Sequence, residues 1–207
     1  MAIITMPSTL PLGDGSGMGL RRFDLVASSE TTGAEQTRML GPARWLLTLA
    51  QPASLTGPPA GAWLALLASL RGRTNHLLAW DPARIAPLGT MRGTPTTAGT
   101  NGAGATTLGI ATGQAGCTLK AGDWLQVGSG LGSSQLVMVT ADATADGSGL
   151  IVPNIEHSLR QTFAAGTAVT WLRASTYFRM QSDGAAWRYA AGGLVTGMSI
   201  DLMESWS

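Results

Sequence analysis

The run Ala43-Arg44-Trp45-Leu46-Leu47-Thr48-Leu49 sets Trp45, Leu47 and Leu49 two residues apart. Successive side chains of an extended strand point to opposite faces, so this spacing puts all three on one side. Arg22-Phe23-Asp24-Leu25-Val26 alternates in the same way, and alternating runs return late in the chain at Thr176–Met180, Ala186–Tyr189 and Leu194–Met203, the last reading as one long closing strand. Period-two runs at both ends commit the chain to burying one face of a sheet, and the expected fold class is mainly β.

Between these ends one segment has the other period. Pro58 and Pro59 suit a first helical turn, Trp63, Leu66, Leu67 and Leu70 share a helical face, and Gly72 stands at the C-terminal cap after Arg71. Arg73 to Pro82 then reads as a short strand ended by an Asp-Pro turn. Upstream, Gly13-Asp14-Gly15-Ser16-Gly17-Met18-Gly19 reads as a flexible loop. From Gly93 to Gly116 the chain is mostly Gly, Thr and Ala, a linker or a strand leading into the next unit, with Leu108 and Ile110 as its larger apolar residues. Asp123–Val127, Gln135–Val139, Leu150–Val152 and Ala168–Trp171 are strand patterns, with Asp146-Gly147-Ser148-Gly149 as a hairpin turn. About five short strands in some eighty residues suggest a small barrel or sandwich.

Charge narrows the functional classes. Only 12% of the 207 residues are charged, against roughly 25% in an average protein. The formal net charge is +1. A surface with so few charges has little repulsion against association, as suits a subunit of an assembly. The basic residues are Lys120 and twelve arginines. Arginine favours planar, partly buried pairs at interfaces, and a high-GC genome produces the same excess, so both readings stand. No basic run interleaved with aromatics suggests a nucleic-acid partner. Cys117 is alone, which rules out an intramolecular disulfide and leaves a small buried side chain as the reading. The start, Met-Ala-Ile-Ile-Thr-Met-Pro, lacks the basic and apolar regions of a secretory signal, and Trp63–Ala68 is far too short to span a bilayer.

Chemistry-bearing patterns are weak. Asp142-Ala143-Thr144-Ala145-Asp146-Gly147 imitates the start of a calcium loop, but Pro153 stands where the bidentate Glu belongs. Gly13-x-Gly15-x-Gly17-x-Gly19 and Gly128-x-Gly130-x-Gly132 lack the Gly-Lys-Ser/Thr ending of a phosphate cradle. His76 and His157 are the only histidines, and no serine lies in a Gly-x-Ser-x-Gly elbow. Seven tryptophans could stack on sugars, with Trp124 and Trp171 the candidates, but Trp45 and Trp63 fall on apolar faces and read as packing. The expectation is a chain with no catalytic, cofactor-binding or metal-ligating residues.

Gly61-Ala62-Trp63-Leu64-Ala65-Leu66-Leu67-Ala68-Ser69-Leu70-Arg71-Gly72-Arg73, with Leu77-Leu78 and Asp81-Pro82 after it, resembles a segment of tail proteins of long-tailed bacteriophages. Lys120–Val127, Leu136–Val139 and Ala145–Gly149 resemble the inserted β-module of the same proteins. The resemblance implies a distal tail protein of the tail tip and baseplate. Residues 1–91 with 173–207 would form a β-sandwich-like belt domain carrying the helix. Residues 92–172 would be an inserted small β-barrel, in some relatives of the oligonucleotide/oligosaccharide-binding type. It further implies a structural virion protein, resident in the host cytoplasm before assembly and without membrane insertion. Its partners would be itself in a hexameric ring, the tail tube protein, the baseplate hub protein and other tail-tip or receptor-binding proteins. Trp45, Trp63, Arg71, Arg73 and Trp206 are the candidate interface or packing residues. A carbohydrate- or receptor-binding tail module is the alternative.

Overall fold

The computed structural model describes residues 1–207. In chain order its first elements are β1 (Ile3–Thr5), β2 (Gly17–Ser28), β3 (Glu35–Ala50), α1 (Gly57–Leu70) and β4 (His76–Trp80). Then follow β5 (Thr96–Thr97), β6 (Ile110–Ala111), β7 (Thr118–Leu119), β8 (Trp124–Val127), β9 (Gln135–Val139), β10 (Ala143–Thr144), β11 (Leu150–Ile151), β12 (Ile155–Glu156) and β13 (Val169–Thr170). The chain closes with β14 (Ser175–Met180), β15 (Arg188–Ala190), β16 (Leu194–Thr196) and β17 (Ser199–Glu204). The protein is mainly β with one helix, as the alternating runs require.

Strands from both ends of the chain build one six-stranded sheet in the order β1-β4-β14-β17-β3-β2, with only β1 and β4 parallel. Trp45, Leu47 and Leu49 point to its inner face, joined there by Leu77, Phe178, Ile200 and Leu202 from three other strands. Helix α1 lays Ala60, Trp63, Leu66, Leu67 and Leu70 into the same core of 22 buried residues. Each such Leu or Phe buried in full contributes about 1.5–3 kcal/mol. Pro58 and Pro59 occupy the first turn, and the helix ends at Arg71 rather than Gly72, because Arg71 itself takes the left-handed conformation (φ 50°) and Gly72 continues it (φ 61°). A Cβ at Gly72 would lie 2.5 Å from the Asp183 carbonyl oxygen, so this turn needs glycine for space as well as for φ.

The chain leaves the sheet after Trp80 and re-enters at Ser175, which is paired with Trp80, so everything between hangs from two neighbouring strands. That insertion contains a four-stranded sheet β12-β9-β8-β13, a three-stranded sheet β11-β6-β5 and a two-stranded pair β10-β7. None closes into a barrel, contrary to the expected one. Only β8 and β9 exceed two residues, and the short strands between glycine turns cannot continue a ladder around a circle. The β8–β9 hairpin is buried on both faces. Trp124 and Leu136 join the first core, while Leu125, Val127, Val137 and Val139 belong to a second core of 15 residues.

Three further expectations change. Gly17 and Gly19 are strand residues of β2, held by the pairings Gly17↔Thr48 and Gly19↔Leu46, and only the stretch before them is loop. Leu194–Met203 is two strands, broken at Gly197 (φ 71°). Of the two readings of Gly93–Gly116 the linker falls and the strand leading into the second unit holds, since the stretch supplies β5 and β6 and fully buries Leu108 and Ile110.

Candidate functional site

Two surfaces and one buried junction collect the polar and exposed apolar groups of the molecule. The first surface is the far end of the β2–β3 hairpin. Strand β17 pairs with β3 only from Leu46 to Ala50. Beyond Phe23 and Gly41, therefore, β2 and β3 have only each other, from Asp24↔Met39 to Ser28↔Glu35. A bulge around Leu40 marks the point of departure, as bulges do where a ribbon bends away from its sheet. The resulting arm exposes Leu25 (54%), Val26 (54%), Met39 (60%) and Leu40 (63%). Two-stranded ribbons are marginal in water, and four exposed large apolar side chains on one make it a surface that wants a cover.

The second surface is the outer face of the six-stranded sheet, which neither α1 nor the insertion covers where β3, β17 and β14 meet. A cavity of about 370 Å³ opens there, lined by Arg44, Arg73 and Arg179 together with Gln181, Met203 and Ser205, among others. Arg73 pairs with Asp183 at 3.0 Å. Neither Arg44 nor Arg179 forms an ion pair. Arg179 donates to the Ser207 carbonyl at 2.7 Å, and its Nε–H has no partner. Arg44 and Arg160 stack on Trp206, 4.5 and 4.1 Å from the ring centroid.

The junction lies between the sheet's inner face and the insertion. Glu204, with no exposed surface, accepts from the Thr176 hydroxyl at 2.9 Å and the Trp45 backbone N–H at 3.2 Å, and its Oε2 lies 3.5 Å from Nε2 of buried His157. The Trp45 indole donates across the junction to the Leu136 carbonyl at 2.9 Å and meets the Trp124 ring edge-on at 4.6 Å. Arg160 closes the cluster, donating to the Ser134 carbonyl. Burial lowers the Arg160 pKa, and the nearby Glu204 charge works against that.

Of the residues singled out from sequence, Trp45 and Trp63 are interior packing residues, 2% and 0% exposed, and the Trp63 indole donates to the Pro11 carbonyl. Arg71 is exposed at the helix end, Arg73 borders the arginine cavity, and Trp206 is the plate between two guanidinium groups. Trp124 is buried and donates to Asp81, which removes it as a sugar platform. Trp171 is half-buried, donates to the Gly93 carbonyl and carries Arg92 over its ring. Cys117 is buried. Asp142 and Asp146 do not converge. The first accepts from Lys120 and the Ala121 N–H, the second from Ser148 and Leu150, and these bonds hold both carboxyls below the usual 3.8.

Asp201 and Glu204, a carboxylate pair in the sequence, point to different partners, Asp201 to the Thr48 hydroxyl and Glu204 to Thr176 and Trp45, whereas sequence reasoning missed Arg44, Arg179 and Asp123. Asp123 is buried and accepts from the backbone N–H groups of Leu88, Gly89 and Lys120, pinning the start of the insertion to β8. His76 and Ser205 do meet, with Nε2 3.1 Å from the hydroxyl, yet Nδ1 has no partner to orient the ring as a base, and the same hydroxyl donates to Ser207. Burial, then the charge of Arg179, lowers the His76 pKa from 6.5. No helix is long and apolar enough to cross a membrane. No protein-family model matches the chain, and no curated protein matches it.

Proposed function

We propose that this chain is a structural, non-catalytic subunit of a bacteriophage tail tip, a distal tail protein whose copies form a ring joining tail tube to baseplate hub and supporting host-adsorption proteins. The observation that carries the reading is the β2–β3 arm, a ribbon with no further strand partner that exposes four large apolar residues, two of which, Met39 and Leu40, border a cavity shared with Leu159, Arg160 and Trp206. Such an element is costly in a monomer and is stabilised when another subunit covers it. The scarcity of charge agrees with faces meant for burial. Residues 1–91 with 173–207 serve as the ring-forming belt, and 92–172 as an outward module of the oligonucleotide/oligosaccharide-binding type with its barrel left open.

Native mass spectrometry and electron microscopy of the purified full chain test this against a variant in which residues 24–39 are replaced by a short glycine turn. Rings of six copies from the parent, and monomers with an unchanged melting temperature from the variant, are expected. A parent that remains monomeric at every concentration overturns the reading.

A further inference from the structure

The arm and the arginine cavity have opposite charge. From Asp24 to Met39 the arm carries Asp24, Glu30 and Glu35 against Arg38 alone, all exposed, and none of the four forms an ion pair. At roughly 3.3 Å per strand residue, the five residues past Phe23 hold Glu30 and Glu35 about 17 Å out from the sheet. On the outer sheet face no side-chain carboxylate pairs with Arg44 or Arg179; Arg179 gives one nitrogen to the main-chain oxygen of Ser207, and its Nε–H has no hydrogen bond. The one side-chain carboxylate lining the cavity, Glu204, is turned inward onto Thr176 and Trp45. Guanidinium groups lining a concave wall match carboxylates in geometry as well as in charge.

We propose that the acidic arm of one copy of this chain docks in the arginine cavity of a second copy, Glu30 and Glu35 pairing with Arg44 and Arg179. Charge complementarity identifies the occupant as the chain itself: a molecule of net charge +1 holds an acidic projection and a basic recess on different parts of its surface, and apart from Arg73, which pairs with Asp183, no charged side chain of the arm and no arginine of the recess has an ion-pair partner in the monomer. The contact is therefore heterologous, the kind that runs head to tail from copy to copy. The inference rests on the ring reading above and specifies the contact that would build it.

The test is sedimentation velocity on the full chain with reversed charges, folding being checked by circular dichroism. Glu30→Arg/Glu35→Arg and Arg44→Glu/Arg179→Glu are each expected to weaken assembly about a hundredfold, roughly tenfold per reversed charge. An equimolar mixture of the two is expected to regain the parent assembly, because each reversed arm then meets a reversed cavity. Should the cavity variant fail to fold, Glu35→Cys in one copy and Arg73→Cys in another must give an interchain disulfide only when mixed. Parent-like assembly of the arm variant, a mixture that does not recover, or absence of that crosslink overturns the proposal. If the parent assembles but ignores the reversals, the contact is wrong and the ring reading survives. If the parent does not assemble, the ring reading falls first.

Discussion

Glu204 should be the most costly single polar side chain to remove from the junction. Its carboxylate has no exposed surface and satisfies two donors, the Thr176 hydroxyl at 2.9 Å and the Trp45 N–H at 3.2 Å, with His157 3.5 Å away. Glu204→Leu keeps most of the volume but strands the Trp45 N–H beside an apolar group. An orphaned buried donor costs about 1–3 kcal/mol. The same change removes the carboxylate whose charge acts on half-buried Arg160, so the loss should lie at the upper end of that range, about 3 kcal/mol. Glu204→Gln behaves differently. Its amide oxygen can keep the Trp45 N–H, its NH₂ can donate to a rotated Thr176 hydroxyl, and only the charge is lost, for about 1–2 kcal/mol. Urea unfolding followed by tryptophan fluorescence reads the difference, with Trp45 and Trp124 as reporters of the junction. Equal loss for the two variants, or less than about 1 kcal/mol for Glu204→Leu, would show that the junction is held by apolar packing and that the hydrogen-bond argument is wrong.

Other perturbations follow from single observations. The His76 pKa lies below 6.5 in the folded chain, so its contribution to stability is complete above that value and is lost as pH falls through the folded pKa. The melting temperature should therefore begin to drop as pH falls below 6.5, and His76→Gln should flatten that part of the curve. An unchanged slope would exclude His76 as its source. Asp142 and Asp146, lowered from 3.8, add a separate loss only at more acidic pH. Asp123→Asn puts an NH₂ against backbone donors from Leu88, Gly89 and Lys120 and should cost about 2–3 kcal/mol in the same urea assay. Gly72→Ala should destabilise by more than about 1–2 kcal/mol, since a Cβ at a positive φ would also meet the Asp183 carbonyl. Gly33→Ala, at a similar φ with open space, is the control and should cost about 1 kcal/mol.

The parts of the fold legible in the sequence are those governed by local period. Trp45, Leu47 and Leu49 announced the inner sheet face, and Trp63, Leu66, Leu67 and Leu70 the helix, because burial on one side leaves a regular trace along the chain. Gly17 and Gly19 hid a strand, since residues without side chains carry no alternation, and their place is set by pairing with Thr48 and Leu46. The β8–β9 hairpin lies between two cores, so its two faces could be assigned only after both neighbours were known. The site was less legible still. Glu204 reads as one acid in a closing segment, and its partners Trp45, Thr176 and His157 come from three separate stretches of sequence. Arg44 and Arg179 meet because β17 pairs with both β3 and β14, a long-range fact with no local signature.

The balance of charge takes on a different meaning once its distribution is known. A net charge of +1 and a charged fraction of 12% describe a molecule with almost no long-range repulsion between copies. Low repulsion permits association but does not select an orientation. Orientation needs local asymmetry, and the sheet order supplies it: the arm extends from the edge strand β2 and its neighbour β3, whereas the arginine cavity opens over β3, β17 and β14. Because arm and cavity belong to different patches, joining two copies through them would use the arm of one and the cavity of the other and leave one arm and one cavity free, so the proposed contact would repeat until rotation closes it. A self-matching patch would stop at two copies. The insertion hangs from β4 and β14 but also reaches the base of the arm, where Arg22 pairs with Glu156 and Met39 and Leu40 border a cavity shared with Leu159 and Arg160, so changes in that stretch of the module would be felt at the proposed contact.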